Sequence, residues 1–137
     1  MLTLLSCISL HVLLAGVLPS PWWVPDLTTA GLVLATARWP QRWLVLSMTA
    51  GGLTILWAIR FPVQVFCGVC FLGLATQLAA TQWDLTDVRV KRWLVGGATL
   101  LMSLWMFWLD EALSVRILGW IVTRSAFTAL AVPWLMR

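Results

Sequence analysis

Long runs without a charge, cut at short intervals by proline and by clustered charges, dictate what this chain can become. Leu2–Leu18 is uncharged and ends at Pro19 and Pro21. Trp22–Ala37 is apolar apart from Asp26 and closes on Arg38-Trp39-Pro40. Trp43–Ile59 runs to Arg60-Phe61-Pro62, Val63–Trp83 to Asp84, and Trp93–Leu109 to Asp110-Glu111. Ala112–Met136 is apolar apart from Arg116 and Arg124. A helix crosses a bilayer with about 20 mostly apolar residues, within a range of about 17–25. The pattern therefore predicts six spans: 2–18, 22–37, 43–59, 63–83, 93–109 and 112–136. Proline lacks a backbone donor and disfavours helix at the residue before it, so the breaks fall where prolines and charges coincide. The second span is the weakest, because Asp26 shortens its uncharged part.

Composition leaves no soluble alternative. The chain has 137 residues, 61% hydrophobic and 10% charged, against about 45–50% and about 25% in soluble domains. That apolar excess cannot be hidden in one core of this size and must face lipid. Met1–Gly16 has no basic n-region, and Leu18-Pro19-Ser20-Pro21 offers no small-residue cleavage site, so the first segment is expected to be a retained helix. The expected fold class is all-α: a single integral membrane domain over 1–137, a polytopic six-transmembrane-helix bundle with antiparallel neighbours.

Orientation follows from Lys and Arg in short loops. One side would hold both termini and the loops carrying Arg38, Arg42, Arg89, Lys91, Arg92 and Arg137; the other would hold Arg60 and Arg116. The richer side is expected to be cytoplasmic, with both termini inside. The 11 Trp, beside no Tyr, test this independently. Trp22, Trp23, Trp57, Trp105 and Trp108 fall near the outer boundary. Trp39, Trp43, Trp83, Trp93 and Trp134 fall near the inner one, and Trp120 lies deeper. Two aromatic belts give that distribution.

Arg124 is the most informative single residue. It lies about 12 Å deeper than Arg116 along one helix, and a lone charge at that depth is costly on a lipid face. A position inside the bundle or against a partner is expected, with snorkelling and local water entry the simpler alternative. Its neutral partners would be Gln77, Ser47, Thr49, Thr54, His11 or the carbonyls of a broken helix; otherwise a partner subunit supplies an acid. His11, mid-way along the first segment with no carboxylate at its level, is expected to serve as a structural hydrogen-bonder. Asp26, Arg60, Asp110, Glu111 and Arg116 cluster on the outer side. They are candidates for ligand or partner contact, with helix capping the simpler role for Asp26 and Asp110.

The Cys67-Gly68-Val69-Cys70 pair lies in an apolar run without a second pair, so its thiols are expected to pack as weak hydrophobes. The 84–92 stretch is the longest inner loop, where bases set topology and touch anionic lipid. Gly51-Gly52, Gly68, Gly73, Gly96-Gly97 and Gly119 would let helices approach closely. No P-loop, H-E-x-x-H or G-x-S-x-G is present. No cofactor, no catalytic residue and no nucleic-acid partner is expected.

The order of segments resembles the bacterial rod shape-determining protein MreD family over about residues 20–137. Pro25-Asp26-Leu27 opens the second segment as a proline-containing start does in that family. Arg38-Trp39-Pro40-Gln41-Arg42 is similar to its short inner turn, Gly51-Gly52 to its glycine-bearing third span, and Pro133-Trp134-Leu135-Met136-Arg137 to its terminal segment. The stretch Leu53-Thr54-Ile55-Leu56 departs from the family in lacking an acid, and no polar tail follows Arg137. The resemblance implies a non-enzymatic scaffold subunit of the cell-elongation machinery in the bacterial cytoplasmic membrane. Its partners would be the single-pass protein MreC and, through it, the MreB filament, RodA and the elongation transpeptidase. It also implies a fold similar to the substrate-binding S-components of energy-coupling-factor vitamin transporters, and hence the alternative of a vitamin-binding subunit.

Overall fold

A computed structural model describes residues 2–17, 24–56, 61–109 and 114–136. The described residues form six α-helices: α1 (Leu2–Val17), α2 (Leu27–Arg38), α3 (Trp43–Ile55), α4 (Pro62–Gln82), α5 (Val88–Leu109) and α6 (Val115–Leu135). One 3-10 turn, Pro40–Arg42, joins α2 to α3. Each predicted segment holds one helix, and no strand occurs among the described residues.

Local chemistry explains the boundaries. Pro62 opens α4, where its missing N–H costs nothing and its fixed φ suits a first turn. The helix stops at Trp83, whose backbone is extended. α5 starts ahead of the predicted residue 93 because Asp87 caps it: the Asp87 carboxylate accepts from the Arg89 N–H (2.8 Å) and the Asp87 carbonyl from the Lys91 N–H (3.1 Å). The basic residues that mark a loop by charge thus lie in the first turns of a helix. At the other end of the chain Pro133 sits inside the last turns of α6 without ending it.

The helices divide by length. α4, α5 and α6 have 21, 22 and 21 residues and are long and apolar enough to cross a membrane. Yet only 22–28% of their apolar windows is buried. Val115 and Trp93 are 88% and 84% exposed. A water-soluble fold would cover such surface; here it is the outer face, as in a membrane protein. The interior mixes apolar residues such as Leu32, Val33, Val95 and Val132 with small hydroxyl ones, Thr36, Ser47, Thr76, Thr99, Ser125 and Thr128, all buried. Such residues let helices pack closely in lipid.

α2 is the opposite case. At 12 residues it is about 18 Å long, short of the roughly 30 Å hydrocarbon layer. Nine of those residues are buried. It packs against α1, α3, α4, α5 and α6 and so forms the axis of the bundle, while α3 pairs with α4 and α5 with α6 around it. Gly31 permits the α1–α2 approach, since a Cβ there would meet the Cys7 Cβ at 2.7 Å.

Candidate functional site

The chain reaches α2 through Val24, Pro25 and Asp26, which are not helical although they are packed inside the bundle. Unpaired backbone groups in such a place cost about 1–3 kcal/mol each. Side chains of two other helices help to satisfy them. Arg124 of α6 donates its Nε–H to the Val24 carbonyl at 3.1 Å. His11 of α1 places Nδ1 3.1 Å from the Pro25 carbonyl, and because a carbonyl only accepts, Nδ1 carries the proton. Thr128 of α6 accepts the Asp26 N–H at its hydroxyl oxygen, at 2.9 Å. Proline contributes no N–H at position 25. The break is therefore a built feature, tied to α1 and α6.

Asp26 is 8% exposed and closes the start of α2 with its side chain. Oδ1 accepts the Thr29 N–H at 3.1 Å and Oδ2 accepts the Thr29 hydroxyl at 2.6 Å. An acid here both fills orphan donors and suits the positive end of the helix dipole. No ion pair joins Asp26 to Arg124; each is held by its own polar partners.

A cavity of about 730 Å³ lies beside this break. Its polar edge is made by His11, Asp26, Thr29, Ser103 and Arg124, and Ile8, Leu32, Val65, Val69, Leu72 and Met102 contribute to the apolar remainder. The walls come from the end of α1, the start of α2, the end of α3, the start of α4, the end of α5 and the middle of α6. Ser103 is 5% exposed, and its Oγ has no hydrogen-bond partner among the described residues. Of the polar groups on this edge, Asp26 and Thr29 are bonded to each other.

The sequence-predicted residues are distributed unevenly around this site. Arg124 is part-buried in the bundle, and its partner is the Val24 carbonyl in the non-helical approach to α2, a backbone oxygen and none of the side chains Gln77, Ser47, Thr49, Thr54 or His11. Asp26 is a cap and lines the cavity as well. Arg116 is exposed on the first turn of α6 and lies outside the lining. Arg60, Asp110 and Glu111 lie outside the described residues. Ser103 and Thr128 were not singled out by sequence. Thr128 had a usable signal: it follows Arg124 by one helical turn, on the stripe Ile121, Ser125, Thr128 and Val132 that α6 buries. Ser103 had none, since a serine in a span reads as packing.

Elsewhere the chemistry is sparse. The three cysteines are free thiols. Among the described residues no three His, Cys, Asp or Glu side chains gather to hold a metal ion. At the basic end, the Arg38 guanidinium stacks 5.0 Å over the Trp39 ring, a cation–π contact. In the loop before α5, Asp84 accepts the Thr86 N–H at 2.9 Å and the Thr86 hydroxyl at 2.7 Å. The Thr86 backbone bond, helped by its hydroxyl, holds the Asp84 carboxyl below its ordinary value. A depressed folded pKa means that the turn is fully favoured above the unfolded carboxylate pKa of about 3.9 and is lost as pH falls through the lower folded value. The Thr86 amide resonance is accordingly expected to titrate below that range, and a midpoint at or above it would show that the turn does not form.

Comparison with family models, curated proteins and solved structures gives no match for this chain.

Proposed function

We propose that this chain is a non-enzymatic scaffold subunit of the bacterial cell-elongation complex, of the kind the MreD family provides. It would sit in the cytoplasmic membrane with six spans and both termini inside. There it would bind an MreC-like single-pass protein and couple the MreB filament to RodA, the elongation transpeptidase and peptidoglycan synthesis. The observation that carries this reading is the outward-turned apolar surface of α4–α6 together with connections too short to form a docking domain. A protein built this way meets partners through helix faces inside the bilayer. The resemblance in segment order supplies the identity of those partners.

Purification from native membranes in mild detergent, followed by mass spectrometry, tests the reading. Recovery of MreC-like, RodA-like or transpeptidase chains is expected. Arg124→Leu gives a sharper form of the test. It removes the donor to the Val24 carbonyl and costs about 1–3 kcal/mol, enough to deform the bundle that partners grip, while making α6 more apolar. Recovery of partners is expected to fall about tenfold, which corresponds to about 1.4 kcal/mol, with membrane insertion unchanged. Undiminished recovery would reject the role given to Arg124.

The cavity favours a second reading: a substrate-binding subunit of an energy-coupling-factor vitamin transporter, with a fold similar to those S-components. Recovery of paired ATPases with a coupling membrane subunit, in place of the elongation proteins, would decide for it.

A further inference from the structure

Among the described residues, the cavity beside the non-helical start of α2 has more unused hydrogen-bond donors than acceptors, His11 Nε2 being a free acceptor nitrogen there. Asp26 has one bond to each carboxylate oxygen, both from Thr29. Thr54 donates to the Gly51 carbonyl. Arg124 uses Nε alone, on Val24, which leaves the four N–H groups of its two Nη atoms without a protein acceptor among the described residues. Ser103, nine-tenths buried on the facing α5, has a hydroxyl with no partner among the described residues. A guanidinium and a hydroxyl left over in one largely apolar cavity call for an acceptor that can take several bonds.

We propose that this cavity binds an anionic head group, a carboxylate or a phosphate monoester, carried on an apolar body. The head accepts from the Arg124 Nη groups and from the Ser103 hydroxyl. The body lies along Leu32, Val65, Val69, Leu72 and Met102. The volume of about 730 Å³ is within the roughly 300–1,000 Å³ of small-molecule sites. The one like charge at the edge, Asp26, is held by its two Thr29 bonds and by the helix dipole. A cation-binding site would need the reverse arrangement, with free acceptors and a bonded arginine. This site stands whichever partners the subunit has.

The test uses the full chain in phosphatidylcholine nanodiscs, with dansyl-undecanoate as probe and its emission excited through tryptophan. Saturable binding is expected, absent from empty nanodiscs, with displacement by dodecyl phosphate and none by dodecanol. Inorganic phosphate distinguishes the source of the head: weak competition marks a lipid-like ligand, whereas competition equal to that of dodecyl phosphate rejects the apolar body. Arg124→Gln is expected to weaken binding at least about tenfold, as befits a charge-assisted bond. Because that variant also frees the Val24 carbonyl, Ser103→Ala provides the independent check. It removes a hydroxyl that bonds nothing in the protein, so its melting temperature is expected to hold or rise while probe affinity falls about threefold. Dodecanol competing as well as dodecyl phosphate, or wild-type affinity in Ser103→Ala together with an unchanged response to Arg124→Gln, would overturn the proposal.

Discussion

Gly73→Ile is expected to destabilise the bundle by about 3 kcal/mol, at the upper end of what overpacking a tight interface costs. Gly73 is buried where α4 crosses α3. A Cβ added there would land on the Ser47 hydroxyl, with the Ser47 Cβ 3.1 Å away and the Trp43 carbonyl oxygen at 3.7 Å. Isoleucine adds its branch at the same place, so α3 and α4 must part along their length. Lipid offers no hydrophobic drive to bring them back, since the association rests on close packing. The measurement is the unfolding midpoint in mixed micelles titrated with SDS. Two comparisons isolate the cause. Gly97→Ile, on α5 where nothing lies within 4 Å of the new Cβ, is expected to leave the midpoint in place or raise it. Ser47→Gly in the same chain is expected to recover part of the Gly73→Ile loss. Equal losses at Gly73 and Gly97 would mean that the crossing does not set the cost, since isoleucine has the higher helix propensity at both sites.

Asp26→Ala is expected to cost about 2 kcal/mol. It deletes a helix cap, usually worth about 0.5–2 kcal/mol, and also strands the Thr29 hydroxyl inside the protein. Asp26→Asn keeps an oxygen for the Thr29 N–H and is expected to lose less than half as much. Equal losses in the two variants would mean that the negative charge at the start of α2, and not the hydrogen bond, carries the effect. The same SDS titration reads both.

The comparison of sequence with structure turns on what each residue needs. Charges and prolines mark where an apolar run must stop, so the six helices were legible, with Pro62 and Asp26 marking the starts of two of them. A capping role for Asp26 followed from an acid just ahead of a helix. An interior place for Arg124 followed from the cost of a lone charge in lipid, which holds whatever the neighbours are. The neighbours themselves were not legible. That Arg124 meets Val24, and His11 meets Pro25, depends on how the helices are arranged in space, and a list of segments does not contain that arrangement. The start of α5 was misplaced for a different reason. Arg89, Lys91 and Arg92 read as a loop by charge, yet a capped helix extends past the apolar layer and carries them on its first turns. The cavity was the least legible feature, because it is made by the ends of helices far apart in the chain.

The shortness of α2 bears on how the protein is made. A 12-residue helix that includes Thr28, Thr29 and Thr36 is a poor substrate for insertion by itself, since recognition by length and apolarity needs about 20 residues. Among the described residues its polar approach is bonded by α1 and by α6, and α6 is synthesised after the other five helices. The growing chain therefore carries an unfinished centre until α6 arrives. Chains truncated before Val115 are expected to leave the Val24 carbonyl and the Asp26 N–H unsatisfied and to be recognised as incomplete by membrane proteases, however well α4 and α5 insert. Quality control of this bundle is thereby placed at α6.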